Sequence, residues 1–291
     1  MKKFSVDNRE FYSTGRIIKI CGLINAWYED VENPETLAES LKKFKQRLDI
    51  FTFFQRVPHT VPKFNYYMEP YNVAVIKVIS YDDWWNNCIG KTTRQAVKKS
   101  HKNGVEVRIK NFDDEFVQGI CNIYDETPIR QGKRFPHYMD SIEKVRRENG
   151  TFIDKSLFLG AYYANELIGF MKVVFEDEFA DVLQLLSKIS HRDKSVNNAL
   201  LARAVDICAA RGVGYIAYGD LGSGGLDDFK RHNGFSRMVL PKYFIPLNCV
   251  GTTALMLNLH KKAANLLPEW LALMLKGLRR RWYNRSMKCK E

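Results

Sequence analysis

The stretch SKISHRDKSVNNALLARAVDICAARG, residues 187–212, decides the fold of this chain. It is typical of a strand end, a polar turn and a long amphipathic helix that ends at Gly212. The free backbone N–H groups at such a helix start readily bind a phosphate. The turn at 192–198 contains no glycine, although glycine is what usually lets the backbone approach a phosphate closely. The sequence therefore leaves open whether this turn binds a phosphate.

The composition is ordinary for a soluble globular protein. The 291 residues are 45% hydrophobic and 27% charged, which suits one large domain or two small ones. Six scattered cysteines without a C-x-x-C pair argue against a zinc site and a disulfide framework, so we expect no metal. The sequence shows no secretory signal and no uninterrupted apolar run of membrane-spanning length. We therefore expect a cytoplasmic protein.

The net charge of +12 is concentrated near the C-terminus. Residues 261–291 contain nine Lys or Arg against two Glu, which predicts either a solvated basic tail or a segment attracted to a polyanion. Apolar residues recur at helical spacing over 252–275 and predict an amphipathic helix interrupted at Pro268. Its apolar face would pack on the domain or on a second subunit, or lie in a membrane interface. The latter alternative would place the protein peripherally at the inner face of the membrane.

Between residues 105 and 246 the predicted elements follow a regular order. The pattern predicts two helices, three antiparallel strands, a helix, a strand, a helix and a last long strand. Upstream, residues 82–102 predict one long basic helix. Cations spaced four residues apart share one face of that helix, namely Arg94, Lys98 and Lys102. This face would either be solvated or follow the phosphates of a nucleic acid.

Three segments resemble the GCN5-related N-acetyltransferase (GNAT) fold. ELIGFMKVVF (166–175) is similar to the central strand of that fold, residues 187–212 to its strand, turn and helix, and FKRHNGF (229–235) to its late helix end. Two further segments resemble the Fem-type peptidoglycan-bridge aminoacyltransferases, which are GNAT relatives. These are KTTRQAVKKSHKNGVEVRI (91–109) and FTFFQRVP (51–58).

The resemblance implies an α/β (α+β) fold, in which helices flank a mixed, mostly antiparallel central sheet. We expect residues 1–70 to form an incomplete N-terminal α/β part packed on the core. Residues 71–250 would form the GNAT-like transferase domain, and residues 251–291 a basic amphipathic C-terminal helix. Fem-type proteins usually carry two GNAT-like units, whereas this chain has room for one complete unit and the incomplete N-terminal part.

The resemblance also implies a role for the opening turn. GNAT enzymes hold the pyrophosphate of acetyl-CoA on an Arg/Gln-x-x-Gly-x-Gly/Ala turn, which falls on residues 192–197 here. Arg192 matches this pattern, whereas Ser195 and Asn197 stand where glycines belong. The expected donor is an acyl-CoA or an aminoacyl-tRNA, the donor that Fem-type relatives use.

Charges in the turn act in both directions. Asp193 would repel a pyrophosphate, whereas Arg192, Lys194 and the helix dipole would attract it. In the alternative interpretation, Asp193 or Ser195 simply caps the helix. The expected donor-binding residues are Arg192, Lys194, Ser195, Asn197 and Asn198.

The loop YDETPIRQGKRFPHY, residues 124–138, is unusually dense in hydrogen-bonding and aromatic side chains. We expect Glu126 to be the general base for the attacking amine. Arg130 and Arg134 would bind a carboxylate or phosphate of the substrate, and Tyr138 would contribute to the same binding. The alternative is a surface loop with local ion pairs.

Two strand ends should face the same groove as this loop. Lys188 follows the third antiparallel strand and is expected to bind substrate, and Tyr218 ends the next strand and is expected to act as an acid. We therefore expect an acyl- or aminoacyltransferase that N-acylates an amine of a cell-envelope precursor or a surface glycan. Its acceptor would be a small molecule, a glycan or a peptide, with tRNA as a further candidate partner. The alternative is a GNAT-shaped scaffold without catalysis, recruited to a membrane or nucleic acid by residues 261–291. The sequence gives no oligomeric state.

Overall fold

The computed structural model describes residues 1–222 and 224–261. The strands are β1 (Lys2–Val6), β2 (Arg9–Thr14), β3 (Ile20–Leu23), β4 (Ile50–Phe54), β5 (Tyr67–Lys77), β6 (Glu106–Lys110), β7 (Ile129–Arg130), β8 (Lys133–Arg134), β9 (Ser156–Tyr163), β10 (Glu166–Phe175), β11 (Phe179–Ser187), β12 (Tyr215–Asp220) and β13 (Ser236–Pro246). The helices are α1 (Pro34–Lys42), α2 (Tyr81–Asp83), α3 (Lys91–Lys102), α4 (Asp114–Tyr124), α5 (Ile142–Asn149), α6 (Val196–Ala210), α7 (Gly225–His232) and α8 (Cys249–Met256). A π-helical turn (Trp84–Cys88) follows α2, and 3₁₀ turns precede β9 (Ile153–Lys155) and α6 (Ile189–Lys194).

The chain forms two compact units. The first contains residues 1–72 and the described residues from 239 onward. The second contains residues 73–238, of which residue 223 lies outside the described part. The domain boundaries expected from the sequence, after residues 70 and 250, stay predictions.

In the first unit, β1, β2 and β3 form an antiparallel meander, and β3 pairs in parallel with β4. The other edge of β4 pairs antiparallel with β13. Helix α1 connects the two parallel strands and buries Leu37 and Leu41. These side chains join a core of aromatic residues from the sheet that includes Phe11, Phe51 and Tyr243. The apolar stripe of α1 therefore packs on one face of this sheet.

In the second unit, the strand order is β5–β12–β11–β10–β9–β6. The pairs β6–β9, β9–β10 and β10–β11 are antiparallel, and β12 pairs antiparallel with β5. Strand β11 pairs in parallel with β12, and the connection between these two strands is α6. The sheet is therefore mixed and mostly antiparallel.

Helices cover both faces of this sheet because the buried side chains of β10 alternate between them. Met171 packs into a cluster that contains Leu200 and Val205 of α6. Its neighbour Phe170 packs into a separate cluster that contains Phe116 of α4. The fold class predicted from the sequence is thus confirmed.

The predicted long helix over 82–102 is wrong. The chain forms α2 and the π-helical turn, breaks in extended geometry at Ile89, and starts α3 after Gly90. Trp84 is fully buried and donates its indole N–H to the Asn233 carbonyl at 3.0 Å, which fixes the first part independently of α3. Helical periodicity alone does not reveal such a break, because both parts are helical in sequence pattern.

The predicted row of cations on that helix is also corrected. Arg94 is half-buried and donates to the carbonyls of Trp85 at 2.9 Å and Ile89 at 2.7 Å. It therefore caps the π-helical turn, and it is not a free surface cation. Lys98 and Lys102 are exposed, as the prediction required.

The predicted C-terminal helix is described only at its start. Helix α8 ends at Met256 and buries Ala254 and Leu255. The remainder of the predicted helix and of the basic segment, from residue 262 onward, lies outside the described residues. No helix in the described ranges is long and apolar enough to cross a membrane.

Candidate active site

The site begins where β11 and β12 separate. Their parallel pairing covers only Phe179–Asp181 against Tyr215–Ala217, yet β11 continues to Ser187. The strands therefore diverge, and a cavity of about 600 Å³ opens between them. Its lining comes from the β7–β8 ribbon, the end of β11, the start of α6, Tyr218 of β12 and the start of α7.

Most of the site residues predicted from the sequence meet in this cavity. The predicted residues that line it are Arg130, Arg134, Lys188, Arg192, Ser195, Asn197, Asn198 and Tyr218. Three predicted residues do not line it, namely Glu126, Tyr138 and Lys194. The structure locates these side chains, and their catalytic and binding roles stay predictions.

The cavity is strongly basic. Of the described lining residues, none is acidic and five are cationic, namely Arg130, Lys133, Arg134, Lys188 and Arg192. Lys188 forms an ion pair with Glu166, which partly balances its charge. Burial lowers the pKa of Arg130, although the nearby Glu126 opposes this effect. A cleft lined by one sign of charge attracts ligands of the other sign, so the cavity suits an anion.

The turn before α6 keeps a glycine-like backbone without a glycine. Ser195 has φ 54° and ψ 37°, in the left-handed region that non-glycine residues rarely adopt. The hydroxyl of Ser195 makes no capping hydrogen bond, and the carboxylate of Asp193 pairs with Lys194 at 3.3 Å. The alternative that one of these side chains caps the helix is therefore wrong. The first hydrogen bond at the start of α6 runs from the Asn198 N–H to the Ser195 carbonyl at 3.1 Å, so the N–H groups of Val196 and Asn197 precede it, and both residues line the cavity.

The neighbouring asparagines differ in their hydrogen bonding. Asn198 donates from Nδ2 to Oδ1 of Asn233 at 2.9 Å. Asn197 lines the cavity, and its buried Oδ1 has no hydrogen-bond partner among the described residues. Lys194 instead lies over the Tyr163 ring, 4.6 Å from the centroid, which accounts for its absence from the lining.

Glu126 lies behind the cavity wall. Its carboxylate accepts hydrogen bonds from the backbone N–H groups of Ile189 at 2.6 Å and Ser190 at 2.8 Å, and from the Ser190 hydroxyl at 2.7 Å. Burial raises the pKa of Glu126, but these hydrogen bonds and the charge of Arg130 outweigh burial and hold it below its usual value. A general base must reach the proton that it removes. This geometry favours a positioning role for Glu126 over the expected role as base.

Tyr218 lines the cavity from β12. Burial, with a smaller contribution from Asp181, raises the pKa of Tyr218 to about 12. The phenol is therefore protonated at neutral pH and has a proton to donate. This is the state that the predicted role as an acid requires.

Sequence reasoning missed several residues of the lining. Lys133 lies in the β7–β8 ribbon, whose turn at Gln131 and Gly132 has positive φ values of 53° and 70°. The Gln-Gly pair between two short basic segments was the available signal for this hairpin. Leu226 and Phe229 of α7 contribute apolar side chains to the cavity wall. The sequence of this amphipathic helix contains no pattern that indicates a ligand cavity beside it.

A cluster outside the cavity has the composition of a metal site. Single ligand atoms of His137, Asp140 and Glu148 lie within 4.8 Å of one another. The ammonium group of Lys144 lies 2.6 Å from Asp140 and 4.0 Å from Glu148. Because a cation of this chain already occupies the cluster, its geometry is that of an ion-pair network.

Several solved structures share this architecture. The C-terminal domain of a putative lysylphosphatidylglycerol synthetase from Agrobacterium fabrum aligns at 12% identity over 87% of this chain and 86% of its own, with a TM-score of 0.57. L-PGS from Bacillus licheniformis aligns at 14% identity over 88% and 87%, with a TM-score of 0.55. FemX aligns at 11% identity over 80% and 83%, with a TM-score of 0.53.

The chain shares the fold of FemX and of these two synthetase structures. At these identities the likeness is one of fold, and it confirms the resemblance predicted from the sequence. No protein-family model and no curated protein matches the sequence.

Proposed function

We propose that this protein is an acyl- or aminoacyltransferase that acylates a primary amine with a phosphate-bearing donor. One observation carries the proposal: the phenol of Tyr218 and the start of α6 open onto the same basic cavity of about 600 Å³ between splayed strands. A volume of this size is typical of small-molecule sites. The fold shared with FemX supports the same class of reaction.

The donor would bind at the start of α6. Arg192 and the N–H groups of the first turn would hold its phosphates, with the helix dipole adding to the attraction. The left-handed backbone of Ser195 supports this, because it keeps the turn open as a glycine would. Both an acyl-CoA and an aminoacyl-tRNA carry phosphate groups on the part of the molecule that is not transferred.

In the reaction, the neutral amine attacks the carbonyl carbon of the donor and forms the new C–N bond. The bond between that carbon and the leaving sulfur or oxygen breaks, and Tyr218 gives its proton to the leaving atom. The excess proton of the attacking amine then passes to the Tyr218 phenolate, which restores the phenol. Glu126 and Arg130 act through the end of β11, which they hold in place.

The acceptor would enter from the side of the β7–β8 ribbon. Lys133 and Arg134 are exposed there and line the cavity, so they suit an acceptor that carries a carboxylate or phosphate beside its amine. An amine of a cell-envelope precursor or surface glycan has this chemistry. The basic segment 261–291 would bring such a cytoplasmic enzyme to an anionic surface at the inner face of the membrane.

The test is a thermal-shift titration with acetyl-CoA, longer acyl-CoAs and charged tRNA, followed by turnover assays with whichever donor binds. A ligand at about 100 times its Kd stabilises the folded state by about 2.7 kcal/mol. We expect Arg192→Glu to abolish the shift and Arg147→Glu, at an exposed arginine of α5 outside the lining, to leave it unchanged. No shift with any donor would leave the scaffold alternative standing.

A further inference from the structure

Helix α7 buries a lysine beneath the candidate active site. Lys230 is 4% exposed and is the residue that this helix buries, whereas its neighbours Arg231 and His232 are exposed. Transfer of a lysine ammonium out of water is costly unless the charge finds partners. The partners of Lys230 therefore indicate why the chain places a cation there.

The ammonium of Lys230 contacts a backbone carbonyl and an aromatic ring. Its Nζ donates a hydrogen bond to the carbonyl of Asp220 at 2.6 Å, and it lies 4.6 Å from the ring centroid of Tyr218. A cation at this distance over an aromatic ring is attracted by the negative face of the ring. Lys230 therefore supports the phenol that lines the cavity while staying out of the lining itself.

The other buried lysine of this unit shows the contrast. Lys172 is fully buried, and its ammonium has three oxygen acceptors, the carbonyl of Asn149 and both the carbonyl and hydroxyl of Thr151. Its three N–H donors are thus matched by backbone and side-chain oxygens. Within the described residues, Lys230 has one oxygen acceptor, and the Tyr218 ring takes the place of the others.

The charges around this pair come from three elements. Burial lowers the pKa of Lys230, whereas Asp227 of α7, Asp220 of β12 and Asp181 of β11 raise it. The three carboxylates thus favour the charged ammonium against burial. Asp181 also raises the pKa of Tyr218, so a cation beside the phenol is needed if its proton is to leave readily.

We propose that Lys230 is a positioning residue that holds the Tyr218 ring and stabilises the negative charge on its oxygen when the phenol protonates the leaving group. This inference rests on the transferase function proposed above. As the carbon–sulfur or carbon–oxygen bond of the donor breaks, the phenol proton moves to the leaving atom. The phenolate then takes up the excess proton of the attacking amine, which restores the phenol. Over the whole reaction Tyr218 and Lys230 therefore neither gain nor lose a proton.

The first test reads the phenol directly and needs no activity. Tyrosines are replaced by 3-fluorotyrosine, which titrates in a more accessible pH range, and Tyr218→Phe identifies the fluorine resonance of Tyr218. We expect Lys230→Met, which keeps the apolar stem, to raise the titration midpoint of Tyr218 by about one unit. Lys230→Arg should restore it. An unchanged midpoint in the Met variant overturns the proposal.

The second test is kinetic. We expect Lys230→Met to lower kcat about 10-fold with an unchanged KM for the donor, since one unit of acid strength is a factor of ten in equilibrium. The loss should shrink with a donor whose leaving group is more acidic and needs no proton. An equal loss with both donors contradicts the proposal. If Lys230→Met does not fold, Lys230→Gln, which keeps a donor for Asp220 without the charge, takes its place in both tests.

The two tests separate this inference from the proposed function. If the wild-type protein transfers no acyl group with any donor, the proposed function fails, and the fluorine titration still decides whether Lys230 acts on Tyr218. If transfer occurs and the titration midpoint does not move, the proposed function stands and the role of Lys230 is rejected.

Discussion

The carboxylate of Glu126 and the guanidinium of Arg130 lie 3.3 Å apart and together clasp the end of β11. Arg130 donates to the carbonyl of Ser187 at 2.8 Å, and Glu126 accepts from the next two free N–H groups, at Ile189 and Ser190. Both side chains are largely shielded from solvent, with 17% of the Glu126 side chain and 11% of the Arg130 side chain exposed. The pair therefore fixes the point at which β11 leaves the sheet and the cavity opens.

We predict that Glu126→Gln destabilises the folded protein. The amide oxygen can still accept, but the charge-assisted hydrogen bonds are lost, which costs about 1–3 kcal/mol. Glu115→Gln is the matched control, because Glu115 is exposed and pairs with Lys110 only at 3.7 Å. Urea unfolding measures both variants. A Glu126→Gln protein of full stability without activity would instead support the original role as a base.

The same Glu126–Arg130 pair predicts that the stability of the fold falls at acidic pH. The pKa of Glu126 is depressed in the folded state, because its hydrogen bonds and Arg130 outweigh the opposing effect of burial. The unfolded chain therefore binds the proton first, and the contribution of Glu126 is complete above the ordinary glutamate pKa and is lost as the pH falls through the folded value. The difference in the free energy of unfolding between the wild type and Glu126→Gln should therefore shrink as the pH falls. A difference that is constant with pH contradicts this prediction.

We predict that Ser195→Gly stabilises the protein. The left-handed backbone of Ser195 strains a serine, and relief of that strain exceeds the entropy that glycine loses on folding by about 0.5–1 kcal/mol. Ser141→Gly is the contrasting change, since Ser141 caps α5 from an extended backbone and its hydroxyl accepts from Lys144 N–H. That variant should lose a few tenths of a kcal/mol. Chemical unfolding measures both variants. If both change the free energy of unfolding in the same direction, the backbone of Ser195 is not strained.

The sequence predicts this site well where the determinants are local. Hydrophobic periodicity and the polar turn located the start of α6, and strand ends located Lys188 and Tyr218, because sheet edges bring such ends together. All three parts line the cavity. Position in an element was therefore enough to assign these residues to one site.

The contacts that the sequence did not predict share a physical cause, which is a partner in another element of the fold. The carboxylate of Glu126 meets N–H groups more than sixty residues away, and Lys230 reaches Tyr218 from the next element. Nothing in the local pattern distinguishes a buried lysine on a short amphipathic helix from a solvated one. Ser195 was predicted at the site, but its left-handed backbone was not, because the propensity of serine argues against the conformation that tertiary packing imposes.

We predict that Arg94→Met destabilises the protein by about 1–3 kcal/mol, because it leaves carbonyls at the end of the π-helical turn without their charged donor. Lys98→Met, one helical turn later on α3 and exposed, should change stability by no more than about 0.5 kcal/mol. Denaturant unfolding of both variants measures the difference. Equal effects of the two substitutions would mean that Arg94 behaves as an exposed surface cation, as the sequence predicted.

Lys172 supplies the last prediction, an alkaline one. Burial lowers the pKa of Lys172 from 10.5 to about 8. Between these values the unfolded chain holds a proton that the folded protein has released, so stability rises with pH across that window. Between pH ~8 and ~10.5, the free energy of unfolding of the wild type should rise by about 1–3 kcal/mol relative to that of Lys172→Met. Below pH ~8 the difference between the two proteins, called the gap below, should be constant. Lys102→Met, at an exposed lysine, controls for the loss of a surface charge. Guanidinium unfolding across this range measures the gap. A gap that does not change with pH would mean that the ammonium of Lys172 is as well stabilised in the folded protein as in water.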